Sequence, residues 1–373
     1  MEKFSLTDIR KKNYSEIYHF IYREKCSSKQ QIANALHMSL PTVTQHLTSL
    51  NDAGLIEKNG LISSNIGRKA AAYKIKPTAK VAVGVEILTK QVIIVVLDLY
   101  GQIITRTKLP ITFTQEEAYF DLLSKSIQAQ LDACHIQPEQ VLGVGFGLQG
   151  LVSEDGCEML YGKILNCTGL HVSRFQTYLA YPCRFIHDSE CAAALELWHN
   201  PDLTDALYLS LGLHLGGAVI TDGQIKTGRT GRTGTFEHMT LVSNGKTCYC
   251  GKQGCVECYC SASALLDKSE TLEQFFDAVR QNSSTHVARW TEYLSWLSMA
   301  LNNLHMVLDS VIILGGHIAP FLTDADLDQL FSFIQERTAF PETENFLRLG
   351  VQEKDVVAMG AAIPFINEFL SSI

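Results

Sequence analysis

Between His238 and Cys255 the chain reads HMTLVSNGKTCYCGKQGC, which puts one imidazole and three thiols within eighteen residues. His238 precedes Cys248 by ten positions; Cys250 and Cys255 follow, with glycines at 251 and 254. Zn²⁺ takes four tetrahedral N/S ligands, and a Cys₃His set closes its coordination shell. His238, Cys248, Cys250 and Cys255 are therefore expected to hold a structural Zn²⁺ with no open position for catalysis. Packing of ordinary core thiols does not account for C-x-C-x₄-C interleaved with glycine. Cys255 and Cys258 form a C-x-x-C, but without a thioredoxin-like context, so redox chemistry is not expected. Cys258 and Cys260 are read as spare buried thiols, with a role as alternative ligands left open.

Something must position this cluster, and 373 residues with 46% hydrophobic content suffice for two or three packed domains. No apolar run reaches the roughly 18 residues of a membrane span, and the N-terminus MEKFSLTDIRKKNY lacks a signal-peptide core. Eleven cysteines without a secretion signal point to reduced thiols and a cytoplasmic protein. The net charge of −8 is uneven. Residues 1–80 hold 13 Lys+Arg against 6 Asp+Glu, whereas the remainder holds 18 against 33. A small basic module on an acidic body suits a protein that presents one end to a polyanion.

The basic module reads as three helices. Ile17, Phe20 and Ile21 recur at helical spacing, and Ser27 or Ser28 can cap a second helix whose Ile32, Ala35 and Leu36 share a face. Ser39 can cap a third, with Pro41 in its first turn and Gly54 just past its end. Val43, Leu47 and Leu50 then face inward, leaving Thr42, Gln45, His46 and Ser49 to face outward. Short polar side chains of this kind suit base edges in a major groove. Leu55–Lys58 and Ala71–Ile75 read as a hairpin whose loop brings Arg68 and Lys69 toward phosphates, as a wing does. The alternative is a trihelical bundle that is merely polar outside.

From Lys80 onward the pattern is α/β. Strands are expected at 81–87, 92–101, 103–109, from 141, at 183–186, over 207–223 and after 310; helices at 115–134, 172–181, 189–198 and 290–308. Two similar glycine-bearing hairpins, near 83–101 and 207–223, point to an internal duplication and two lobes with a cleft between them.

Taken together, the helix-turn-helix, the G-x-x-G at Gly147–Gly150, the His-Cys₃ cluster and the Gly254-Cys255-Val256-Glu257 run resemble the ROK family (repressor, open reading frame, kinase), especially its xylose- and N-acetylglucosamine-type repressors. The resemblance covers nearly the whole chain. It implies a winged helix-turn-helix over 1–76, then an actin-like (ribonuclease-H-like) body. The first lobe would be 81–188 with the C-terminal helix 356–373, and the second, 189–355, would carry the zinc knob. It also implies a sugar in the interlobe cleft, near Gly150, His187, Asp188, Thr235, His238 and Glu257, with His238 serving both metal and sugar. Glu190 and Glu237 are read as surface or supporting groups.

A ROK kinase needs a catalytic carboxylate, whose position Asp188 matches, and two phosphate-cradling glycine hairpins. Here the first is Glu86-Ile87-Leu88-Thr89-Lys90 and the second Gly212-Leu213-His214-Leu215-Gly216-Gly217-Ala218. Side chains stand where a phosphate requires bare backbone. The family's G-E-x-G-H is Gly234-Thr235-Phe236-Glu237-His238, which leaves the identity of the sugar open. The expected function is a non-enzymatic, sugar-responsive repressor: a homodimer or homotetramer that binds double-stranded operator DNA and answers to a carbohydrate or sugar-phosphate effector. A sugar kinase, or a regulator that has lost its sugar and answers to a protein partner, are the alternatives.

Overall fold

The computed structural model describes residues 6–62 and 70–373. The proposed wing residues Arg68 and Lys69 lie outside the described residues. Helix α1 (Leu6–Glu24), strand β1 (Ser27–Ser28), helices α2 (Lys29–Ala35) and α3 (Leu40–Asp52), and strands β2 (Ile56–Ile62) and β3 (Ala70–Ile75) form the N-terminal module. Ser28 caps α2 in a reciprocal pair: its Oγ accepts the Gln31 N–H at 3.3 Å, and its own N–H donates to Gln31 Oε1 at 2.8 Å. Ser39 caps α3 by accepting the Thr42 N–H, and Gly54 follows the helix at φ +68°. β1 pairs with β3, so a three-stranded sheet closes the helices. Two residues show no alternation, which is why β1 is not legible in the sequence.

The body begins with β4 (Val81–Ile87), β5 (Val92–Asp98) and β6 (Ile103–Leu109), antiparallel neighbours. β5 stops short of the expected 101 because Asp98 Oδ1 accepts the N–H groups of Tyr100 and Gln102, folding the chain into a turn at Gly101. Helix α4 (Glu117–Ala133) leads to β7 (Val141–Leu148), then the short hairpin β8 (Leu151–Val152) and β9 (Met159–Tyr161). The helix expected over 172–181 shrinks to α5 (Ser173–Gln176). β10 (Cys183–His187) completes a sheet of order β10-β7-β4-β5-β6 and runs straight into α6 (Asp188–His199).

The second sheet repeats the plan. β11 (Ala206–Leu211), β12 (Leu215–Thr221) and β13 (Gln224–Lys226) are antiparallel. Helices α7 (Glu257–Cys260), α8 (Ala262–Leu265), α9 (Leu272–Arg280) and α10 (Ser284–His305) intervene before β14 (Val311–Gly315), which lies parallel to β11. After α11 (Asp324–Gln335), β15 (Leu347–Leu349) lies parallel to β14, giving the order β13-β12-β11-β14-β15. In both sheets the order is third, second, first, fourth, fifth, with the same strand directions, so the duplication read from the hairpins extends to whole sheets.

The last helix, α12 (Val356–Ser372), returns to the first sheet and lies across β4 and β7. Gly84 and Gly145 make this possible: a Cβ at either would run into the α12 carbonyls of Ala358 and Ala361. α6 touches both halves. Its Ala194 and Leu195 pack with α12, while Ala192 and Ala193 pack with Tyr208, Ala218 and Ile220 of the second sheet.

One apolar cluster joins the N-terminal module to the body. Ile17, Ile21, Val43, Leu47 and Leu50 belong to the same buried set as Val95, Leu97, Ala358 and Ile363. The polar edge of this joint is equally specific. Tyr22 donates to the Leu99 carbonyl at 2.7 Å and stacks on Tyr100 with ring centroids 4.6 Å apart, and Lys25 Nζ sits 3.7 Å above the Tyr100 ring. The three-helix module is therefore packed on the body and not tethered by a linker.

Candidate functional site

On α3, Gln45 and Ser49 are exposed as expected, and Thr48 joins them. Thr42 is half-buried, its hydroxyl 2.8 Å from the Ser39 hydroxyl. His46 corrects the sequence reading, for it is only 7% exposed. Its ring meets Tyr14 edge-on at 6.2 Å, and burial, aided by Arg10, pushes its pKa below the ordinary value. A helix packed on both α1 and α2 buries more of its circumference than a single i, i+4, i+7 stripe predicts.

Among the described residues, His238, Cys248, Cys250 and Cys255 form the one His/Cys/acid group able to hold a metal ion, their ligand atoms all within 4.8 Å of one another. Cys250 Sγ lies 3.8 Å from Cys255 Sγ, and Cys248 Sγ lies 4.0 Å from His238 Nδ1. Zn–S bonds of about 2.3 Å at tetrahedral angles place sulfurs about 3.8 Å apart, so the donor set fits the ion. The loop is shaped by backbone. Cys248 N–H donates to the Lys252 carbonyl at 2.8 Å, and Gly251 and Gly254 take φ values of +87° and +79° that a side chain would strain. All eleven cysteines are free thiols.

His238 connects this knob to a cavity of about 330 Å³ between the two sheets. Its Nδ1 faces the thiols, while Nε2 lies 3.4 Å from the Tyr249 hydroxyl and 3.7 Å from Glu237 Oε1. The cavity gathers Gly150, His187, Asp188, Thr235 and His238, five of the six residues expected there. Asp188 opens α6, where its Oδ1 accepts the Ser189 N–H at 2.7 Å and lies 3.2 Å from His187 Nε2. Gly150 takes φ +133°, and a Cβ there would strike the Tyr161 carbonyl, so only glycine admits this turn at the cavity wall.

Two readings are corrected. Glu257 does not line the cavity. It is buried behind the wall, with Oε1 2.7 Å from His214 Nδ1 and Oε2 accepting the Leu215 N–H at 2.8 Å. Glu237, read as a surface or supporting group, is 6% exposed and lines the cavity, and its Oε2 has no hydrogen-bond partner. Burial pushes its carboxyl up to about 8. The 3₁₀ turn at Phe236–His238 aims it inward, and no sequence period reports such a turn. Tyr161 at the end of β9, Tyr249 between two of the clustered thiols, and Lys163 and Arg232 from irregular segments that no motif marked also line the cavity. Glu190 faces a neighbouring cavity instead.

The two hairpins at the positions of phosphate-cradling loops carry side chains and internal hydrogen bonds. At the β11–β12 turn His214 is drawn in by Glu257, and the Gly212 and Leu213 carbonyls accept from Ala262 N–H and Ser263 at the start of α8. At the β4–β5 turn Leu88 N–H donates to the Gln91 carbonyl at 3.0 Å. Next to it Glu86 is forced up to about 7 by burial, Asp188 and Asp355 adding to the effect and Lys108 opposing it. An acid with a raised folded pKa contributes stability that is lost as pH rises, here from the ordinary 4.5 through about 7. Solvent reaches part of this side chain, so Glu86→Gln is expected to stabilise the protein at pH 8 by about 2 kcal/mol and not at pH 4. Urea midpoints at both pH values test this; a pH-independent difference would refute it.

Comparison with known proteins agrees with this architecture. Residues 23–58 match the bacterial regulatory protein arsR family, and residues 82–367 match the ROK family. The xylose repressor of Caldicellulosiruptor bescii is 22% identical over 381 residues, covering 94% of each chain. The DNA-binding transcriptional dual regulator NagC of Escherichia coli is 23% identical over 261 residues, 69% of this chain and 64% of that one. Among solved structures, a ROK family transcriptional regulator homologous to E. coli MLC superposes with a TM-score of 0.77 at 20% identity, covering 98% of both chains. A ROK family glucokinase from Streptomyces griseus, solved with glucose and AMPPNP, superposes at 0.66 and 21% identity over 76% of this chain and 98% of that one. The structural matches speak to fold alone, and both regulators and kinases share it. With the match running from the second residue of β4 into α12, the chain belongs to the ROK family.

Proposed function

We propose that this protein is a sugar-responsive transcriptional repressor whose operator affinity is set by a carbohydrate in the interlobe cavity. The observation that carries the reading is the single apolar core shared by α1, α3, the first sheet, α6 and α12. α6 begins at the cavity with Asp188 and ends against the joint, where its Trp198 indole contacts Gly101 beside Tyr100. A ligand that favours one lobe arrangement thereby shifts the recognition helix, by as much as its affinities for the two states differ. Zn²⁺ in the Cys₃His knob would fix His238 and Tyr249, and so the second-lobe wall of the cavity. A cytoplasmic homodimer or homotetramer would present two α3 helices to half-sites about one helical turn apart.

The side chains that stand in place of glycine at both hairpins favour regulation over kinase chemistry. ATP turnover with any hexose or pentose in a coupled assay would reverse that preference. For the DNA reading, full-length protein is expected to retain specific fragments of its own genome, and a sugar is expected to release them. Gln45→Ala is expected to weaken the retained site by about 10-fold and relax its base preference. An unchanged affinity and preference would remove α3 as the reading helix.

A further inference from the structure

The cavity is lined by two cations for which the described residues provide no ion-pair partner. Lys163 lies just beyond β9 of the first lobe, and Arg232 lies in the loop of the second lobe that precedes Thr235. Both are exposed, and no carboxylate of the described residues comes within 4.0 Å of either charged group. Their segments meet across the cleft. Gly231, beside Arg232, packs on the Val152 carbonyl of β8, and β8 pairs with β9 through Leu151 and Tyr161, two residues before Lys163. The surrounding body carries 33 acids against 18 bases, so partners for two cations are abundant in composition yet absent here.

The remaining walls ask for something different. Asp188 and Glu237 bring carboxyl groups to the cavity, and Tyr161 and Tyr249 supply aromatic surface. Hydroxyl donors satisfy the first and the C–H face of a sugar ring the second. A neutral sugar would leave Lys163 and Arg232 without a counter-charge in a narrowed cleft, which is a cost.

We propose that the cavity takes a carbohydrate bearing an anionic group, a phosphate ester or a carboxylate, clamped between Lys163 of one lobe and Arg232 of the other. The proposal rests on the effector reading above and narrows its ligand class. Because the two cations come from opposite lobes, the anion draws the lobes together, and the ring hydroxyls bound by Asp188 and Glu237 decide which sugar does so.

Isothermal titration of the zinc-loaded full-length protein tests it with matched probes: glucose against glucose 6-phosphate and glucuronate, N-acetylglucosamine against its 6-phosphate, and galactose against galacturonate. At least one charged probe is expected to bind about tenfold more tightly than its neutral parent, the phosphate and carboxylate arms showing which anion is preferred. Lys163→Gln and Arg232→Gln, both at exposed positions, are each expected to bring the affinities of the charged probe and its neutral parent to within about twofold of each other. A neutral parent that binds as tightly as its charged derivatives overturns the proposal, as does discrimination that survives both substitutions. Silence from every probe, charged and neutral, would instead count against the cavity as a carbohydrate site at all and take both readings with it.

Discussion

Replacing Cys255 by alanine is expected to reduce bound zinc from about one ion per chain to near zero, whereas Cys258→Ala is expected to keep it. Cys255 is 1% exposed, and its thiol sits 3.8 Å from that of Cys250. Cys258 is outside the set of donor atoms that converge within 4.8 Å. With one ligand gone the shell cannot close, and a structural site that loses its ion loses folding free energy with it. The consequences reach the cavity, because the loop held by the ion also carries Tyr249, which lies against both His238 and His214. The second lobe is expected to melt about 5–10 °C lower, and any sugar response to vanish. Elemental analysis and calorimetry on the purified variants check both statements. Equal zinc in the Cys255 and Cys258 variants would sink the assignment of ligands.

The second large effect is expected far from the metal. Gly84→Ala adds one methyl group to β4, and that methyl points into the Ala358 carbonyl of α12. A flexible side chain would yield; a helix backbone does not, so α12 must move off the sheet. The expected cost is about 3 kcal/mol, read as a fall in the urea midpoint, with weakened DNA retention following because α12 shares a core with the recognition module. A midpoint within about 0.5 kcal/mol of the parent would show that α12 is not seated on β4 as described.

Much of this was legible in the chain itself. The strands over 81–87 and 103–109 match β4 and β6 residue for residue, because alternating or continuous β-branched runs bounded by turn residues are a local signal. Ser28, Ser39 and Gly54 mark helix ends for the same reason, since capping is a matter of neighbouring residues. The Cys₃His spacing pointed to four side chains that do converge, because a tight glycine loop brings nearby residues together almost regardless of what surrounds it.

The corrections at His46 and Glu257 depend on residues distant in sequence. His46 has a polar side chain at a helical position that reads as outward, but Tyr14 of α1 covers it. Glu257 lies beside the cluster in sequence, yet His214 and Leu215, more than 40 positions earlier, take both its oxygens and hold it behind the wall. Glu237, Lys163 and Arg232 reach the cavity from a 3₁₀ turn and irregular loops, for which no periodicity exists to be read. The sequence by itself therefore determined the longer strands of the body, the caps of α2 and α3 and the four side chains that converge on one point, since backbone preference and tight-loop geometry act over a few residues. Only the tertiary structure decided which charged groups are buried, which line the cavity and which stand unpaired, because burial and pairing are set by surfaces that meet across hundreds of residues.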